Sequence, residues 1–399
     1  MTLLTLREAT PATSGRKASA LAQLQRAGFD VPDGFVIPLS EYRRHHTAEP
    51  RPLHRPDAAL QAAIEVHLSR LLGGADEGFV AVRSSSTTED GSHSSGAGQH
   101  DTILAVRGTH AVAAAVARCW ASLRSPRAMA YRDHQSTPAS GPPAMAVLVQ
   151  RFIDADVSGV VFTHHPRVIE ATHGLGDPLV SGAITPDSWT LDDTGITSRR
   201  AGTIRSRLDR CGDTLRLTPL PAAQRPCLDD VTVRELDRLG ADITTVLRYP
   251  ADIEWAISRG RIHTLQARPI TAHLTGPERH ADRPCSLGSP TAGVPASPGS
   301  ATGPTRVLTG PRDFHRMRPG DIIVCQASDP AWTPLFAHAA GIITEAGGAL
   351  SHAAIVAREL RIPAILAVPN ATTRYPDGTL VTMDGTTGHI HVDRVGDPP

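Results

Sequence analysis

A strongly patterned stretch near the end of the chain, residues 344–368 (TEAGGALSHAAIVARELRIPAILAV), constrains the fold most. The glycine pair at 347 and 348 follows a short apolar run and marks a tight turn, and Ser351 stands where a helix N-cap belongs. Apolar residues then recur at a helical period until Pro363 ends the helix. The pattern predicts a strand, a turn, a helix from about His352 to Leu360 and a further strand.

His352 falls in the first turn of that helix. Backbone N–H groups and the positive end of the helix dipole favour an anion at this position. A phosphoryl group on the imidazole would therefore find donors for its oxygens already in place. The chain has 19 histidines, and a lone histidine at a helix start more often caps or packs, so the stretch by itself leaves both interpretations open.

Composition excludes several classes of protein. The 399 residues include 40 basic and 40 acidic side chains, so charge gives no reason to expect a nucleic-acid or membrane-surface partner. Five scattered cysteines without a CxxC pair indicate neither a disulfide framework nor a zinc site. No signal peptide or run of ~20 apolar residues is evident. We therefore expect a cytoplasmic protein.

Two structured regions are separated by a polar stretch rich in glycine and proline, residues 272–290 (AHLTGPERHADRPCSLGSP), which is typical of a linker. Residues 1–271 alternate helical patterns with short apolar runs at 79–82, 145–149 and 157–162. In residues 291–399 we expect short strands at 321–325, 341–344, 364–368 and 380–384. The sequence thus predicts a first domain, a linker and a smaller second domain.

Four segments of the second region, taken together, closely resemble a known domain. These segments are GVPASPGSATGPTRVL (293–308), GDIIVCQASDPAWTPLF (320–336), the stretch around His352, and VTMDGTTGHIHV (381–392). They resemble the swivelling phosphohistidine domain of the phosphoenolpyruvate-utilising enzymes, which include pyruvate phosphate dikinase, phosphoenolpyruvate synthase and rifampin phosphotransferase. The resemblance implies that His352 carries the phosphoryl group.

The first region resembles the ATP-grasp nucleotide-binding domain of the same enzymes. Residues 14–37 align with the family's opening segment, and residues 80–102 (VAVRSSSTTEDGSHSSGAGQHDT) with the strand and glycine-rich loop that close over the triphosphate. Glycine allows close backbone approach to phosphate, and hydroxyl groups offer donors. The resemblance implies nucleotide-binding roles for a set of six residues: Lys17, Arg83, Gly98, Gln150, Glu170 and Arg268.

Lys17 is the single lysine of the chain, every other cationic side chain apart from histidine being arginine. A compact ammonium on a flexible stem is suited to approaching phosphate oxygens as a point charge, a task in which arginine does not replace it. Chance survival of one lysine is the alternative.

The end of the first region, residues 251–271 (ADIEWAISRGRIHTLQARPIT), predicts a β-hairpin that turns at Arg259 and Gly260. Alternation in the first strand is typical of a half-buried strand. A register that pairs Glu254 with Gln266 would gather a carboxylate, an amide oxygen and the Arg268 guanidinium on one face. A slip of one residue would separate them, and the sequence leaves the register open. The family resemblance implies that Glu254 and Gln266 bind Mg²⁺, for which hard oxygen ligands are suited, and that Arg268 binds phosphate.

The fold class expected from all this is α+β, with an ATP-grasp domain joined by a flexible linker to a small swivelling β/α phosphohistidine domain. In the family's mechanism ATP and Mg²⁺ bind to the first domain and the histidine attacks the β-phosphorus. Pyrophosphoryl-histidine forms, AMP and orthophosphate are released, and the phosphohistidine moves to an acceptor. The resemblance implies an AMP-forming phosphotransferase.

The acceptor is not specified by the sequence. A small hydroxylated metabolite or antibiotic is our first expectation, and a phosphocarrier whose acceptor site lies on a separate partner protein is the alternative. A degenerate ATP-binding regulator is a third class, against which the full set of expected site residues argues. The dikinases and synthases named above carry a C-terminal barrel for phosphoenolpyruvate or pyruvate, and rifampin phosphotransferase carries an inserted acceptor domain. We expect neither here, since the second region takes up residues 291–399 and residues 272–290 are too few for an insert. On that ground the sequence predicts that pyruvate is not the acceptor.

Overall fold

The computed structural model describes residues 2–46, 56–74, 77–87, 101–125, 128–129, 142–221, 226–271 and 291–393. Gly98 and the expected linker, residues 272–290, lie outside these ranges. Helices and strands are both abundant in the described residues, as the α+β expectation requires.

The strands are β1 (Leu4–Thr5), β2 (Gly34–Ile37), β3 (Val80–Ser86), β4 (Thr102–Val106), β5 (Met145–Arg151), β6 (Val157–Phe162), β7 (Arg167–His173), β8 (Asp187–Asp192), β9 (Gly195–Arg200), β10 (Ser206–Cys211), β11 (Thr214–Pro219), β12 (Ala251–Ser258), β13 (Arg261–Pro269), β14 (Thr291–Ala292), β15 (Val294–Ser297), β16 (Ser300–Val307), β17 (Ile322–Cys325), β18 (Gly341–Thr344), β19 (Ala364–Leu366), β20 (Leu380–Asp384) and β21 (His389–Val392).

The α-helices are α1 (Pro11–Arg26), α2 (Leu39–His45), α3 (Ala58–Leu72), α4 (Thr109–Ser122), α5 (Asp177–Val180), α6 (Asp230–Leu247), α7 (Thr333–Phe336), α8 (His352–Leu360) and α9 (Ala371–Arg374). Short 3₁₀ helices cover Leu6–Glu8, Pro311–Arg316 and Pro330–Trp332. Among the helices of the described ranges, none combines the length and the apolar character that a membrane span requires.

The chain forms two compact units. The first unit comprises Met1–Thr163, Thr172–Gly176 and Arg205–Thr271, and the second comprises His164–Ala171, Asp177–Ile204 and Ala272–Pro399. Two segments of the predicted first domain therefore group with the residues around His352. The domain boundaries expected from the sequence, at 271 and 291, stay predictions.

The first unit holds a five-stranded sheet in the order β1-β2-β5-β3-β4, and a hairpin of β12 and β13 whose first strand pairs with β6. Helix α1 packs against β3, β5 and β13. The β12 strand is more deeply buried than the half-buried strand that alternation predicts, since Asp252 and Ala256 are buried as well as Ile253 and Trp255. That expectation was wrong because both faces of the strand are covered.

In the second unit, strands β7, β8 and β9 form an antiparallel meander. A separate eight-stranded sheet has the order β14-β21-β20-β16-β17-β18-β19-β15, with β16 to β19 parallel. Alternate residues of β18 enter opposite cores, with Ile342 in one and Ile343 in the other. Burial on both faces is typical of parallel strands connected by helices, and here α8 connects β18 to β19.

Helix α1 contains a break at Gly15, whose φ of 72° and ψ of 175° are open to glycine and strained for other residues. A Cβ at this position would lie 2.5 Å from the carbonyl oxygen of Ser85 on β3. The Ser85 hydroxyl donates to Ser14 O at 2.6 Å and accepts from Ala18 N at 3.2 Å, as an N-cap would. A second helical segment therefore starts after Gly15, and Lys17 lies in its first turn.

We predict that Gly15→Ala destabilises the protein by at least about 2 kcal/mol more than Gly28→Ala. Gly28 has a φ of 93° and nothing within 4 Å of an added Cβ, so its variant measures the cost of the dihedral alone. Gly15 adds the collision with Ser85. Urea unfolding followed by tryptophan fluorescence compares the two variants, and equal losses would contradict the close approach.

Candidate functional site

The β12–β13 hairpin has the register that brings the expected metal ligands together. The turn has φ of 52° at Arg259 and 74° at Gly260, and from it the strands pair regularly as far as Trp255 with Thr264. A β-bulge follows, so that Glu254 pairs with Gln266 instead of Leu265. Without the extra residue, Gln266 would lie on the other face of the hairpin. The bulge therefore gathers Glu254 and Gln266.

Two further positions on this face hold a buried ion pair. Asp252 pairs with Arg268 across the strands, and the guanidinium donates from Nε at 2.9 Å and from Nη2 at 2.7 Å to Asp252 Oδ2. Each side chain is only 8% exposed. Asp252 was not among the expected site residues, although the period-two rule places it on this face, two residues before Glu254. Asp252 fixes the direction of the Arg268 side chain.

Arg83 reaches the same cluster from β3. Its Nη1 lies 3.6 Å from Glu254 Oε2, and the residue is buried. Among the described residues its Nε atom has no hydrogen-bond partner. A buried guanidinium donor without an acceptor costs free energy unless a ligand supplies one. The geometry fits the oxygen of a phosphate at this place.

The face of the hairpin that carries Glu254 and Gln266 also offers oxygen ligands of the kind that Mg²⁺ prefers. Glu254 and Gln266 offer two hard oxygen ligands on paired residues, and Mg²⁺ is commonly held by one or two protein oxygens together with substrate phosphates. Within the described residues no group of three or more His, Cys, Asp and Glu side chains could hold a metal. When bound, Mg²⁺ would neutralise charge on the phosphates.

Lys17 lies half-buried in the first turn of the second segment of α1, and this helix packs against both β3 and β13. The element carrying the ammonium is thus placed beside the strands that carry Arg83 and Arg268. Gln150 on β5 is buried, and its amide donates to Pro32 O at 3.0 Å. Its expected nucleotide-binding role stays a prediction.

Glu170 differs from the other expected nucleotide ligands because it belongs to the second unit. Its carboxylate is fully buried and accepts hydrogen bonds from Ala349 N at 2.7 Å and Leu350 N at 3.2 Å. A side chain at Gly348 would overlap the same carboxylate. The structure therefore engages Glu170 with the loop that precedes His352, and its expected contact with nucleotide stays a prediction.

His352 is the first residue of α8, as the sequence predicted, and is 3% exposed. Its Nε2 lies 3.3 Å from Thr333 Oγ1, and the Thr333 hydroxyl lies within hydrogen-bond distance of Pro330 O at 3.0 Å. Thr333 therefore orients the imidazole. No local pattern around His352 points to Thr333, because Thr333 lies on another helix, α7.

The loop before His352 is also held from inside the second unit by Arg358. Its Nη1 donates to Ala349 O at 2.8 Å and to Ala296 O at 2.7 Å. Ser351 occupies the N-cap position with extended backbone, yet its side chain caps no N–H group. Among the described residues the buried Ser351 hydroxyl has no hydrogen-bond partner.

Comparison with known proteins bears on both parts of the chain. The family described as pyruvate phosphate dikinase, AMP/ATP-binding domain, matches residues 53–286, which is more than half of the chain, and the family described as PEP-utilising enzyme, mobile domain, matches residues 317–388. The chain belongs to the phosphoenolpyruvate-utilising enzyme family. The predicted fold class is confirmed, and ATP and Mg²⁺ are the cofactors of this family. Lys17 precedes the matched ranges, whereas His352 lies within them.

Several curated relatives are similar over most of the chain. A probable phosphoenolpyruvate synthase of Archaeoglobus fulgidus is 33% identical, covering 96% of this chain and 56% of the relative. One of Methanothermobacter thermautotrophicus is 33% identical, covering 95% of this chain and 61% of the relative. A phosphoenolpyruvate synthase of Aeropyrum pernix is 34% identical, covering 96% and 56%. The chain spans somewhat more than half the length of these relatives.

Burial raises the pKa of the Glu170 carboxyl to about 7, against the opposing effects of the Leu350 and Ala349 N–H groups and of the Arg200 and Arg358 charges. A carboxyl whose pKa is raised in the folded state contributes stability below about pH 4.5, and this contribution is lost as the pH rises through 7. As the pH rises from 4.5 to 8, we predict that the unfolding free energy of Glu170→Gln increases by up to about 3 kcal/mol relative to that of the wild type. The reason is that only the wild type has to ionise a buried carboxyl group. Urea unfolding across this range measures the difference. A difference independent of pH would contradict the buried carboxylate.

Proposed function

We propose that this protein is an ATP-dependent, AMP-forming phosphotransferase that carries the β-phosphoryl group of ATP on His352. The observation that supports this most strongly is the setting of His352. His352 begins α8 and follows Ser351, whose buried hydroxyl has no partner in the described residues. Its imidazole Nε2 lies within hydrogen-bond distance of Thr333 Oγ1. Both helix starts lie in the part of the chain that matches the mobile domain. A phosphoryl group on this ring would have the helix dipole and nearby donors to stabilise its charge.

In the proposed reaction a ring nitrogen of His352 attacks the β-phosphorus, the bond to the α-phosphate oxygen breaks, and AMP leaves. The resulting pyrophosphoryl-histidine is cleaved by water between its two phosphorus atoms, which releases orthophosphate. An acceptor oxygen then attacks the remaining phosphorus and the imidazole is restored. Lys17, Arg83 and Arg268 would bind the triphosphate and offset its charge, which is how enzymes chiefly accelerate phosphoryl transfer.

The acceptor that we propose is a small molecule with a nucleophilic oxygen. The sequence favoured a hydroxylated metabolite or antibiotic and disfavoured pyruvate. The relatives are named phosphoenolpyruvate synthase, and this supports pyruvate, whose enolate oxygen is of the required class. A screen should therefore begin with pyruvate and continue with hydroxylated compounds, following AMP release from ATP and Mg²⁺.

We predict that ATP labelled with ³²P at the β position labels the protein in an acid-labile and base-stable manner, and that His352→Ala abolishes the label. His338→Ala is the matched control, since His338 is an exposed histidine of the same unit. Chromatography should show AMP and orthophosphate as products. Equal labelling of His352→Ala and the wild type, or ADP as the sole nucleotide product, would refute the proposal.

For the single lysine, we predict that Lys17→Arg lowers turnover at least tenfold, equivalent to about 1.4 kcal/mol in the barrier, with little change in thermal stability. The planar guanidinium would place its charge differently among phosphate oxygens that other arginines also engage. Arg70→Lys on α3 is the control, because it makes the reverse exchange at an exposed position. Wild-type turnover in a folded Lys17→Arg protein would show that the ammonium is not required.

A further inference from the structure

The backbone N–H groups in front of His352 already bind an anion. Both oxygens of the Glu170 carboxylate are engaged, Oε1 by Ala349 N and Oε2 by Leu350 N. These donors belong to the loop that leads into α8, a helix of nine residues. A carboxylate with two backbone N–H donors at such a place imitates the way in which a helix start binds a phosphate.

The loop is shaped for close contact with this carboxylate. A Cβ at Gly348 would collide with the Glu170 carboxylate, so any other residue would push this carboxylate away, and Gly347 adopts a φ of 117°. Gly347 N also donates to Ile184 O at 3.1 Å, in a segment that belongs to the same unit. The glycine pair that the sequence identified as a turn thus also permits the approach of an internal anion.

A second feature at the loop indicates that the anion site is not fully used. The Ser351 hydroxyl is fully buried, caps no helix N–H group, and has no hydrogen-bond partner in the described part of the chain. It lies next to His352 in sequence. An unsatisfied buried hydroxyl is unfavourable unless some state of the protein gives it an acceptor.

We propose that Glu170 is an internal substitute for the phosphoryl group: in the unphosphorylated protein it occupies the Ala349 and Leu350 N–H groups, and it gives them up when His352 carries phosphate. This inference rests on the proposed function, since it assumes that His352 is phosphorylated. The Ser351 hydroxyl gains an acceptor in the phosphorylated state. Glu170 is a positioning residue, which acts on the loop and not on the reacting atoms.

The physical cause is repulsion between like charges in a buried place. A phosphoryl group carries a charge of about −1.5 to −2 near neutral pH, and a carboxylate adds another negative charge beside it. The charged groups that act on Glu170 are Arg200 on β9 and Arg358 on α8, and Arg358 donates to the Ala296 and Ala349 carbonyl oxygens. Two anions cannot share the same two N–H donors. Before the reaction, Glu170 on β7 holds the loop that leads into His352. After phosphorylation of His352, this loop is released from β7.

A double-mutant cycle tests this without any ATP chemistry. His352→Glu places a negative charge where the phosphoryl group would be, and Glu170→Gln removes the internal anion while keeping its size. The cycle is measured at pH 8, where a Glu170 carboxyl with a pKa of about 7 is ionised. We expect His352→Glu to lower the thermal midpoint by about 3 °C or more beyond the change that it causes in the Glu170→Gln background. His352→Gln, which adds no charge, should show no such coupling.

Glu345→Gln provides the matched control for the acidic partner. Glu345 precedes the same glycine turn, but its carboxylate accepts from Thr372 and not from the loop in front of His352. In the double-mutant cycle of Glu345→Gln with His352→Glu, the changes in thermal midpoint should be additive. If His352→Glu does not fold in either background, the shorter His352→Asp replaces it. Folding of the charged variant only when Glu170 is replaced would itself support the inference.

The outcomes separate this inference from the proposed function. Additive effects of His352→Glu and Glu170→Gln, or equal coupling in the His352→Gln cycle, would overturn the role of Glu170 even if His352 is labelled by ATP. Absence of labelling together with strong coupling would overturn the phosphotransferase proposal, while showing that the loop does bind one anion at a time.

Discussion

One extra residue in a β-hairpin decides whether Glu254 and Gln266 lie opposite each other in the first unit. The turn at Arg259 and Gly260 sets a register in which Glu254 would face Leu265. The bulge between Glu254 and Trp255 brings Gln266 opposite Glu254 and Arg268 opposite Asp252. All four side chains then share a face, and Arg83 joins them from β3. Bulges are frequent beside active sites because they redirect side chains in this way.

Each arginine of this cluster faces a carboxylate, and the Arg83 Nε atom is a buried donor without a hydrogen-bond partner among the described residues. Asp252 holds Arg268 by a buried ion pair, and Glu254 lies near Arg83 without a short hydrogen bond to it. Breaking a buried pair would leave an uncompensated charge, so Asp252 matters to the fold as well as to the site. In the second unit the arrangement is the reverse: backbone donors surround a carboxylate, and a phosphohistidine would compete for them.

Local signals predicted much of the fold, whereas contacts between distant residues could not be predicted. The helix from His352 to Leu360 was predicted at its true bounds, because an N-cap serine and a proline stop are local features. Strands at 341–344 and 380–384 were likewise confirmed. The pairing of Glu254 with Gln266 depends on a β-bulge that the sequence pattern does not specify. The contact of Thr333 with His352 depends on the packing of α7 against α8. The contact of Glu170 with the loop before His352 could not be predicted, since nothing in the sequence relates it to a loop so far along the chain. Gly98 lies outside the described residues, and its role stays a prediction.

The bulged hairpin is proposed to build a site for Mg²⁺ and phosphate. The most direct measurement is calorimetric binding of a non-hydrolysable ATP analogue to the wild type and to Glu254→Gln, each with and without Mg²⁺. Mg²⁺ should tighten binding to the wild type at least tenfold, about 1.4 kcal/mol. In Glu254→Gln most of that gain should be lost, while metal-free binding is retained or improved by removal of a negative charge. A variant that keeps the full effect of Mg²⁺ would contradict the site.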